Sequence, residues 1–488
     1  MSGAESAAER PVRESDTGFG DALDVALSGT GGRLAPATLL AAFDREGVVA
    51  WRALGEPRCD GAQTSRSTVF RIASMSKSFL AAAALALADD RRLDLDAFID
   101  DIVPGARFVL GAADHRVTVR ELLANRSGLP EDNAWGDRQL GASREEIAEH
   151  ARAGLRLTAL PGETYQYSNL GMSLVGRAIE AVAGVSVEEF VRARFIEPLG
   201  LSHTRYEAEA YPEDADLAAG YRSFDDGRSW VPEPYVGSGA LACIGALFST
   251  IDDIAAWATF LASAFGDDPL RPDVLSAGAR REMQRARTPI PVETDDPRRR
   301  VDAMGYGLGL FIEHDRRFGW LPQHSGGLPG FSSHMRWHAA SGIGVVAFAN
   351  SDAFRIAPLA IDALERVLEV AETSNAIAPW SETVDAGKRI DELLRAGHPL
   401  AEADGVISSN LLLDVPDAVR CARFDELRVT ADLADTQGPF AERVIASHDP
   451  AHLKWHILGE RDAVICEIRL VGLARPLLQS LTCSLAST

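Results

Sequence analysis

Ser74 and Lys77 have the types and the spacing of an activated nucleophile. They form the sequence S-x-x-K at the expected start of a helix, where residues three apart lie on one face and the hydroxyl can touch the amine. A serine hydroxyl at neutral pH attacks a carbonyl only if a neighbouring base accepts its proton. Lysine is scarce, since only Lys77, Lys388 and Lys454 occur among the 49 basic residues. The pair therefore predicts acyl transfer through a serine ester.

Tyr167 and Asn169 form a second short motif, Y-x-N, immediately before another expected helix. A loop that presents a phenol and an amide suits proton transfer and the holding of a substrate. The same position is typical of a helix cap formed by Ser168 or Asn169, and capping can coexist with catalysis. The motif is a candidate second part of the same site.

His324 begins the third motif, His324-Ser325-Gly326-Gly327, at the end of an expected strand. Taken alone, an H-x-G sequence is more typical of a structural histidine than of a catalytic one. Gly327 and Gly330 follow it, however, and glycines allow a substrate backbone to approach closely because they have no side chain. The position of the motif, rather than its composition, makes it a candidate.

The elements around these motifs predict one antiparallel sheet assembled from distant parts of the chain. A hairpin at 39–54 turns at residues 44–47, and a strand at 68–72 leads into the helix that follows Ser74. Strand character returns at 307–313, 318–324, 331–337 and 344–350, before an amphipathic helix at 356–371. We expect an α+β fold with a ligand cleft beside the sheet.

The rest of the chain divides into expected segments of different character. Residues 1–20 are expected to be a flexible tail, and 21–372 to form the main domain. Within it, about 90–275 is expected to be an inserted all-helical subdomain, with helices at 117–124, 144–153, 170–183, 187–195 and 250–264. Residues 286–301 are interpreted as a solvated loop without function. After a Thr-Ser-Asn linker, 376–488 are predicted to form a small C-terminal α+β domain, with helices at 384–396 and 418–427 and strands at 453–458, 464–470 and 477–485.

Composition excludes several classes of function. The 488 residues carry 49 basic and 71 acidic side chains, a formal charge of −22 that repels nucleic acid and anionic lipid surfaces. The longest apolar run, 79–88, is about half of the ~20 residues that cross a bilayer. Five scattered cysteines without a C-x-x-C pair, and a start without a signal sequence, favour the cytoplasm. His448, His452 and His456 recur every four residues, but this spacing on expected strands does not converge on a metal.

Together the three motifs resemble the signatures of serine hydrolases of the class C β-lactamase and penicillin-binding-protein superfamily. The similarity covers about residues 20–372 and includes FRIASMSK at 70–77, VTVRELL at 117–123, SGLP at 127–130, PGE at 161–163 and PLGL at 198–201. It implies a β-lactamase/transpeptidase-like fold for the main domain. The C-terminal domain lies outside the resemblance.

The resemblance also implies a role for each motif residue. Ser74 is the nucleophile, and either neutral Lys77 or the phenolate of Tyr167 is its base. We favour Tyr167 as base and as acid for the leaving group, with Lys77 lowering its pKa. The backbone N–H groups of Ser74 and Gly327 are the expected oxyanion hole, because the first lies at a helix N-terminus. The expected substrate-binding residues are Asn169, His324 and Gly326.

His324 stands where many relatives have the lysine of a Lys-Thr-Gly triad, a permanent cation that can bind a substrate carboxylate. An imidazole is charged only part of the time at pH 7. We therefore expect a serine hydrolase of the D-aminopeptidase, amidase or esterase type, acting without metal or cofactor on a D-amino-acid-containing peptide or amide, or on a small ester. A thioesterase-like peptide cyclase or acyltransferase, and a non-turnover penicillin-recognising protein, remain alternatives. The expected partner is a small-molecule or peptide substrate, and the oligomeric state is open. Residues 134–140 and 235–239 are candidate pocket walls, and the C-terminal domain is a further candidate to shape the pocket.

Overall fold

The computed structural model describes residues 14–30, 35–292, 301–375 and 377–487. The chain divides between Ser374 and Asn375 into two compact units. This boundary falls within the Thr-Ser-Asn segment that the sequence assigns to a linker. The strands of the first unit are β1 (Ala37–Asp44), β2 (Gly47–Gly55), β3 (Phe70–Arg71), β4 (Phe108–Leu110), β5 (Ala113–His115), β6 (Leu155–Arg156), β7 (Gly220–Arg222), β8 (Val231–Glu233), β9 (Phe248–Ser249), β10 (Thr288–Pro289), β11 (Val301–Tyr306), β12 (Phe311–Asp315), β13 (Gly319–Leu328), β14 (Phe331–Trp337) and β15 (Gly344–Ala349).

Helices make up much of the remainder of the first unit. They are α1 (Glu14–Ser28), α2 (Ser76–Asp89), α3 (Ile99–Ile102), α4 (Val119–Leu123), α5 (Asn133–Gly136), α6 (Arg144–Ala153), α7 (Asn169–Ala183), α8 (Val187–Val191), α9 (Ala242–Gly245), α10 (Ile251–Ala262), α11 (Ala277–Met283) and α12 (Ala357–Val370).

An eight-stranded antiparallel sheet forms the centre of the first unit, in the order β10-β11-β12-β13-β14-β15-β1-β2. Strand β1 lies between β15 and β2, so residues more than 300 positions apart become neighbours, as Leu40 and Ala347 do. Along β1, Leu39 and Phe43 pack on one face while Leu40 and Ala42 pack on the other, because successive strand residues point to opposite sides. The expected α+β fold, with one sheet built from both ends of the domain, is confirmed.

Helices α1 and α12 cover one face of this sheet. Phe19 and Leu23 of α1 are buried there beside Leu364 of α12. The expectation of a flexible tail over 1–20 is therefore wrong from Glu14 onward, since a helix begins at that residue. The segment is rich in small and acidic residues, so the short apolar stripe that packs against the sheet is not evident from the sequence. Residues 1–13 lie outside the described part of the chain.

Helix α2 runs through the opposite side of the unit and is almost entirely buried. Its run of alanines and leucines favours a helix and allows close packing on all sides. The inserted region is not all-helical: β4, β5 and β6 form a small sheet, and β7 pairs with β8. Strands of two or three residues are too short to show an alternating pattern in the sequence. Another short pair, β3 with β9, joins Phe70 to Ser249 just before the turn that contains Ser74.

The second unit is a small α+β domain with its own core. A four-stranded antiparallel sheet, β16 (Val444–Ala446), β17 (His452–Ile457), β18 (Val464–Val471) and β19 (Leu477–Leu485), packs with four helices. These are α13 (Ser381–Ala396), α14 (Ser409–Asp414), α15 (Asp417–Ala431) and α16 (Phe440–Arg443). A buried ion pair joins Asp391 to Arg443 at 2.6 Å, and the Trp455 indole donates to the same carboxylate.

No single helix among the described residues is long and apolar enough to cross a bilayer. The two helical stretches 169–183 and 187–196 reach that length and composition only together, and they are bent by 76° relative to each other. Within the same described ranges, no group of three or more His, Cys, Asp or Glu side chains is arranged to hold a metal ion.

Candidate active site

Ser74 lies in a single 3₁₀ turn, Ala73–Met75, directly before α2. Ala73 has φ +49°, in the left-handed region that residues with a Cβ rarely adopt. Such a conformation persists where the surroundings hold it, and here the N–H of Ile72 is fixed on the carbonyl of Leu247 at 2.9 Å. The strained turn therefore presents the Ser74 hydroxyl at the head of a buried helix.

The two glycines of the H-x-G-G motif face different surroundings. A Cβ on Gly326 would lie 2.2 Å from the carbonyl oxygen of Ile72 and 2.2 Å from Ser333 Oγ, so only glycine lets β13 approach the Ala73–Met75 turn this closely. A Cβ on Gly327 would meet nothing within 4 Å, and Gly327 lines the cavity beside Ser74. Gly326 thus packs against the turn while Gly327 faces the open space, and substrate binding by Gly326 stays a prediction.

Lys77 reaches back along α2 to the serine, as the i, i+3 spacing predicts. Its Nζ donates to Ser74 Oγ at 2.9 Å and to the Ile244 carbonyl at 3.0 Å. Lys77 is fully buried. Burial lowers its pKa to about 7, although the nearby carboxylates of Asp137 and Asp132 oppose that fall. A large fraction of the amine is therefore neutral near pH 7 and able to accept a proton.

Tyr167 lies on the other side of the same serine. The Lys77 Nζ is 4.9 Å from the centroid of its ring, and the ring stacks on Phe311 at 6.3 Å between centroids. Burial raises the pKa of Tyr167 well above 10, and a hydrogen bond with Ser74 offsets only part of that rise. In the resting site Tyr167 is therefore a phenol and a proton donor.

A carboxylate that the sequence analysis did not single out fixes the Y-x-N loop. Asp132 accepts the N–H of Asn169 at 2.6 Å, the N–H of Leu170 at 2.9 Å and the hydroxyl of Ser168 at 3.0 Å, at the N-terminus of α7. Ser168 also caps this helix by accepting the N–H of Gly171, so its expected capping role is confirmed. Negative charge at a helix N-terminus is stabilising, which accounts for Asp132.

Asn169 is buried, and its side chain faces a second asparagine. The Asn169 Nδ2 donates to Asn133 Oδ1 at 3.0 Å, and the Asn133 Nδ2 in turn donates to Glu131 at 2.7 Å. Asn133 and Glu131 line the cavity. The Asn169 Oδ1 is buried without a hydrogen-bond partner among the described residues. An amide chain thus leads from the Y-x-N motif to the cavity wall.

His324 is buried beside the cavity and is held as a neutral ring. Its Nδ1 lies 2.6 Å from the Ser325 carbonyl oxygen, which can only accept, so Nδ1 carries the proton. The Nε2 is then left to accept the hydroxyl of Tyr306 at 3.2 Å. Burial, together with the charge of Lys77, lowers the pKa of His324 to about 3. This position provides no cation for a substrate carboxylate.

A cavity of about 870 Å³ opens over Ser74. The motif residues Ser74, Tyr167, His324 and Gly327 line it. Of the two candidate pocket walls, 134–140 contributes Ala134, Asp137 and Arg138, whereas 235–239 contributes none among the described lining residues. Ser325 of the third motif also lines it, and sequence reasoning did not single out the remaining lining residues, which are Glu131, Asn133, Tyr165, Gln166, Arg222, Phe311, Leu328, Pro329 and Asp352. These residues form no motif with a fixed spacing, so no local signal could have selected them.

Comparison with known proteins places the chain in a family. Residues 31–368 match the model of the Beta-lactamase family. The chain is 27% identical over 298 residues to Protein flp of Staphylococcus aureus (strain NCTC 8325 / PS 47), across 59% of this chain and 54% of that protein. The chain thus spans about half the length of the curated relatives it matches.

Two solved structures show the same fold. The octameric penicillin-binding protein homologue from Pyrococcus abyssi has a TM-score of 0.62 and 20% identity, covering 95% of this chain and 99% of that one. The D-amino acid amidase from Ochrobactrum anthropi SV3, complexed with L-phenylalanine amide, has a TM-score of 0.57 and 25% identity, covering 74% of this chain and 99% of that one. The resemblance drawn from the sequence is confirmed, and the chain belongs to the β-lactamase family of serine hydrolases.

Proposed function

We propose that this protein hydrolyses an amide or small ester through an acyl-enzyme formed on Ser74. The observation that carries the proposal is the 2.9 Å hydrogen bond from the buried Lys77 Nζ to Ser74 Oγ. A fully buried lysine is costly to maintain unless its position has a use, and perturbed amines of this kind are typical of catalytic sites.

The charge states of the two neighbours suggest how protons move. Neutral Lys77 takes the proton of Ser74 as the hydroxyl oxygen bonds to the substrate carbonyl carbon. Tyr167, a phenol in the resting site, donates a proton to the leaving nitrogen or oxygen as that bond breaks, and it recovers one from Lys77. This assignment moves the role of base from Tyr167 to Lys77 and keeps Tyr167 as the acid for the leaving group, because burial raises the pKa of Tyr167 and lowers that of Lys77.

The negative oxygen of the tetrahedral intermediate needs fixed donors. The backbone N–H groups of Ser74 and Gly327, on two sides of one cavity, are the proposed pair. A single such donor is worth about 3 to 4 kcal/mol in the transition state. Asn169 acts through Asn133, which we propose contacts the acyl side of the substrate.

The neutral His324 bears on the substrate class. Without a cation at this position, the site is poorly suited to substrates that are held by a carboxylate. D-amino-acid amides and short esters have no such requirement, and the similarity to a D-amino acid amidase at 25% identity supports this class. We therefore propose these as substrates in preference to β-lactam antibiotics.

A substrate panel tests the proposal. Purified protein is assayed with p-nitrophenyl butyrate, D- and L-amino-acid p-nitroanilides and nitrocefin, alongside Ser74→Ala and, as a matched control, Ser67→Ala at an exposed serine. We expect the ester and the D-anilides to be hydrolysed, nitrocefin to be a poor substrate, and all activity to vanish only in Ser74→Ala. Tyr167→Phe should lower kcat by about 10²- to 10⁴-fold.

The same panel separates the alternatives. Stoichiometric penicillin labelling of Ser74 without turnover of any substrate would favour the ligand-binding alternative. Transfer of the acyl group to an added amine in preference to water would favour the cyclase or acyltransferase. Equal turnover by wild type and Ser74→Ala would contradict the acyl-enzyme itself.

A further inference from the structure

Asp137 is an acidic residue that has no role in the proposed reaction. It follows α5 directly, and its side chain lines the cavity that opens over Ser74. Its carboxylate accepts no hydrogen bond from any residue that the structure describes, and its backbone N–H donates to the Asn133 carbonyl at 2.9 Å. A half-buried carboxylate that faces a cavity without a hydrogen-bond donor is costly unless something else binds it.

The other charged residues of the cavity wall are already engaged. Arg138 forms an ion pair with Glu233 at 2.5 Å, and Arg222 lies 3.5 Å from Asp352. Glu131 is exposed and accepts the side-chain amide of Asn133. Asp137 and Glu131 are the two cavity carboxylates that no arginine contacts in the described chain, and of the cavity carboxylates Asp137 alone also accepts no hydrogen bond there.

Lys77 is a positively charged partner for the Asp137 carboxylate only while its amine is protonated. Burial raises the pKa of Asp137 to about 6 against the attraction of Lys77, while burial lowers the pKa of Lys77 to about 7. Above pH 7 the carboxylate is therefore ionised while the lysine is mostly neutral. In the state that can activate Ser74, the cavity wall presents an uncompensated negative charge.

We propose that Asp137 is the binding subsite for an ammonium group of the substrate. The substrate class is then an amide or ester that carries a primary amine close to its scissile carbonyl, as a free amino-acid amide does. This inference rests on the proposed function for its substrate, and it assigns to Asp137 a specificity that the motif residues do not supply. A substrate ammonium would donate to the carboxylate at the place where the described chain offers no donor.

A binding experiment that needs no turnover tests the proposal. In a Ser74→Ala background, isothermal titration calorimetry compares 2-phenylethylammonium chloride with its uncharged analogue 2-phenylethanol. Asp137→Asn should weaken binding of the amine by about 10- to 100-fold, as for a charged hydrogen bond, and leave the alcohol unchanged. Glu213→Gln removes the same charge from an exposed position that does not line the cavity, and it should change either affinity less than about 2-fold. Equal amine affinity with and without Asp137 would overturn the proposal.

Kinetics on the active enzyme separates this subsite from a simple partner for Lys77. D-phenylalanine p-nitroanilide is compared with 3-phenylpropionyl p-nitroanilide, which lacks the amine. If Asp137 binds the ammonium, Asp137→Asn lowers kcat/KM about 10- to 100-fold for the first substrate alone. An equal loss for both would show that Asp137 acts through Lys77 and would overturn the subsite. If the wild type hydrolyses neither substrate, the proposed hydrolysis is refuted, and the calorimetric result alone then decides whether Asp137 binds an ammonium group.

Discussion

Replacing the buried lysine should make the protein more stable while it destroys activity. In the folded chain the pKa of Lys77 falls from 10.5 to about 7. At about 1.4 kcal/mol per pH unit, keeping this amine buried costs about 4 kcal/mol at pH 7. Lys77→Met removes that cost and fills a similar volume. It also removes hydrogen bonds to Ser74 and Ile244 and leaves the Ile244 carbonyl unpaired, which together cost about 2 to 3 kcal/mol. We expect a net gain of about 1 to 2 kcal/mol at pH 7.

The sign of the pH dependence makes this prediction sharper. The folded pKa of Lys77 lies below the unfolded value, so between pH 7 and 10.5 the unfolded chain binds the additional proton. The stability of the wild type therefore rises with pH across this window, whereas that of Lys77→Met lacks this contribution. By pH 9 the burial cost has fallen by about 2 kcal/mol. The advantage of the variant should then have disappeared.

Hydrogen exchange, measured by mass spectrometry on peptides from α2, reports the stability of the first unit separately from that of the second. Protection is compared at pH 7 and pH 9 for wild type, Lys77→Met and the matched control Lys388→Met, whose side chain is exposed on α13. The control should behave as wild type in these peptides. Lower protection in Lys77→Met at pH 7, or a difference that does not change with pH, would refute the account of a buried, costly amine.

Three further predictions follow from the same contacts. The kcat/KM for a neutral ester should rise with pH and level off with an apparent pKa near 7, because the neutral form of Lys77 is the base; a flat stopped-flow profile from pH 6 to 8 would contradict this. Gly326→Ala should lower the free energy of unfolding by about 1 to 3 kcal/mol, because the added methyl group overpacks the contact with Ile72, whereas Gly327→Ala should change it by less than about 0.5 kcal/mol. Urea denaturation measures both values, and equal effects of the two substitutions would argue against the described packing. Asp391→Ala should destabilise the second unit by about 3 to 5 kcal/mol, because it leaves the buried Arg443 guanidinium without its carboxylate partner. Hydrogen exchange in peptides from α13 measures this loss, and exchange as slow as in wild type would show that the ion pair is dispensable.

The contact between Ser74 and Lys77 and the positions of the main strands along the chain follow from local rules. A three-residue spacing on a helix brings two side chains together in any fold, and the hairpin at 39–54 is predicted by its turn residues and by the β-branched and aromatic residues on either side of them. The four later strands and the helix after them were also predicted within a few residues of their observed ends. Helix α1 was missed because its short apolar stripe is recognisable only against the sheet it covers.

What the sequence determined by itself is therefore the contact between Ser74 and Lys77, the companion motifs and the class of fold, since each depends on residues close together in the chain. Tertiary structure alone decided the charge states of Lys77, Tyr167 and His324, because burial by distant segments sets their pKa values. It also decided that Asp132 and Asp137, within five residues of each other, face a helix terminus and a cavity respectively. The free energy of a charge depends on all the groups packed around it, and those groups come from segments far apart in the chain, so no single segment predicts it.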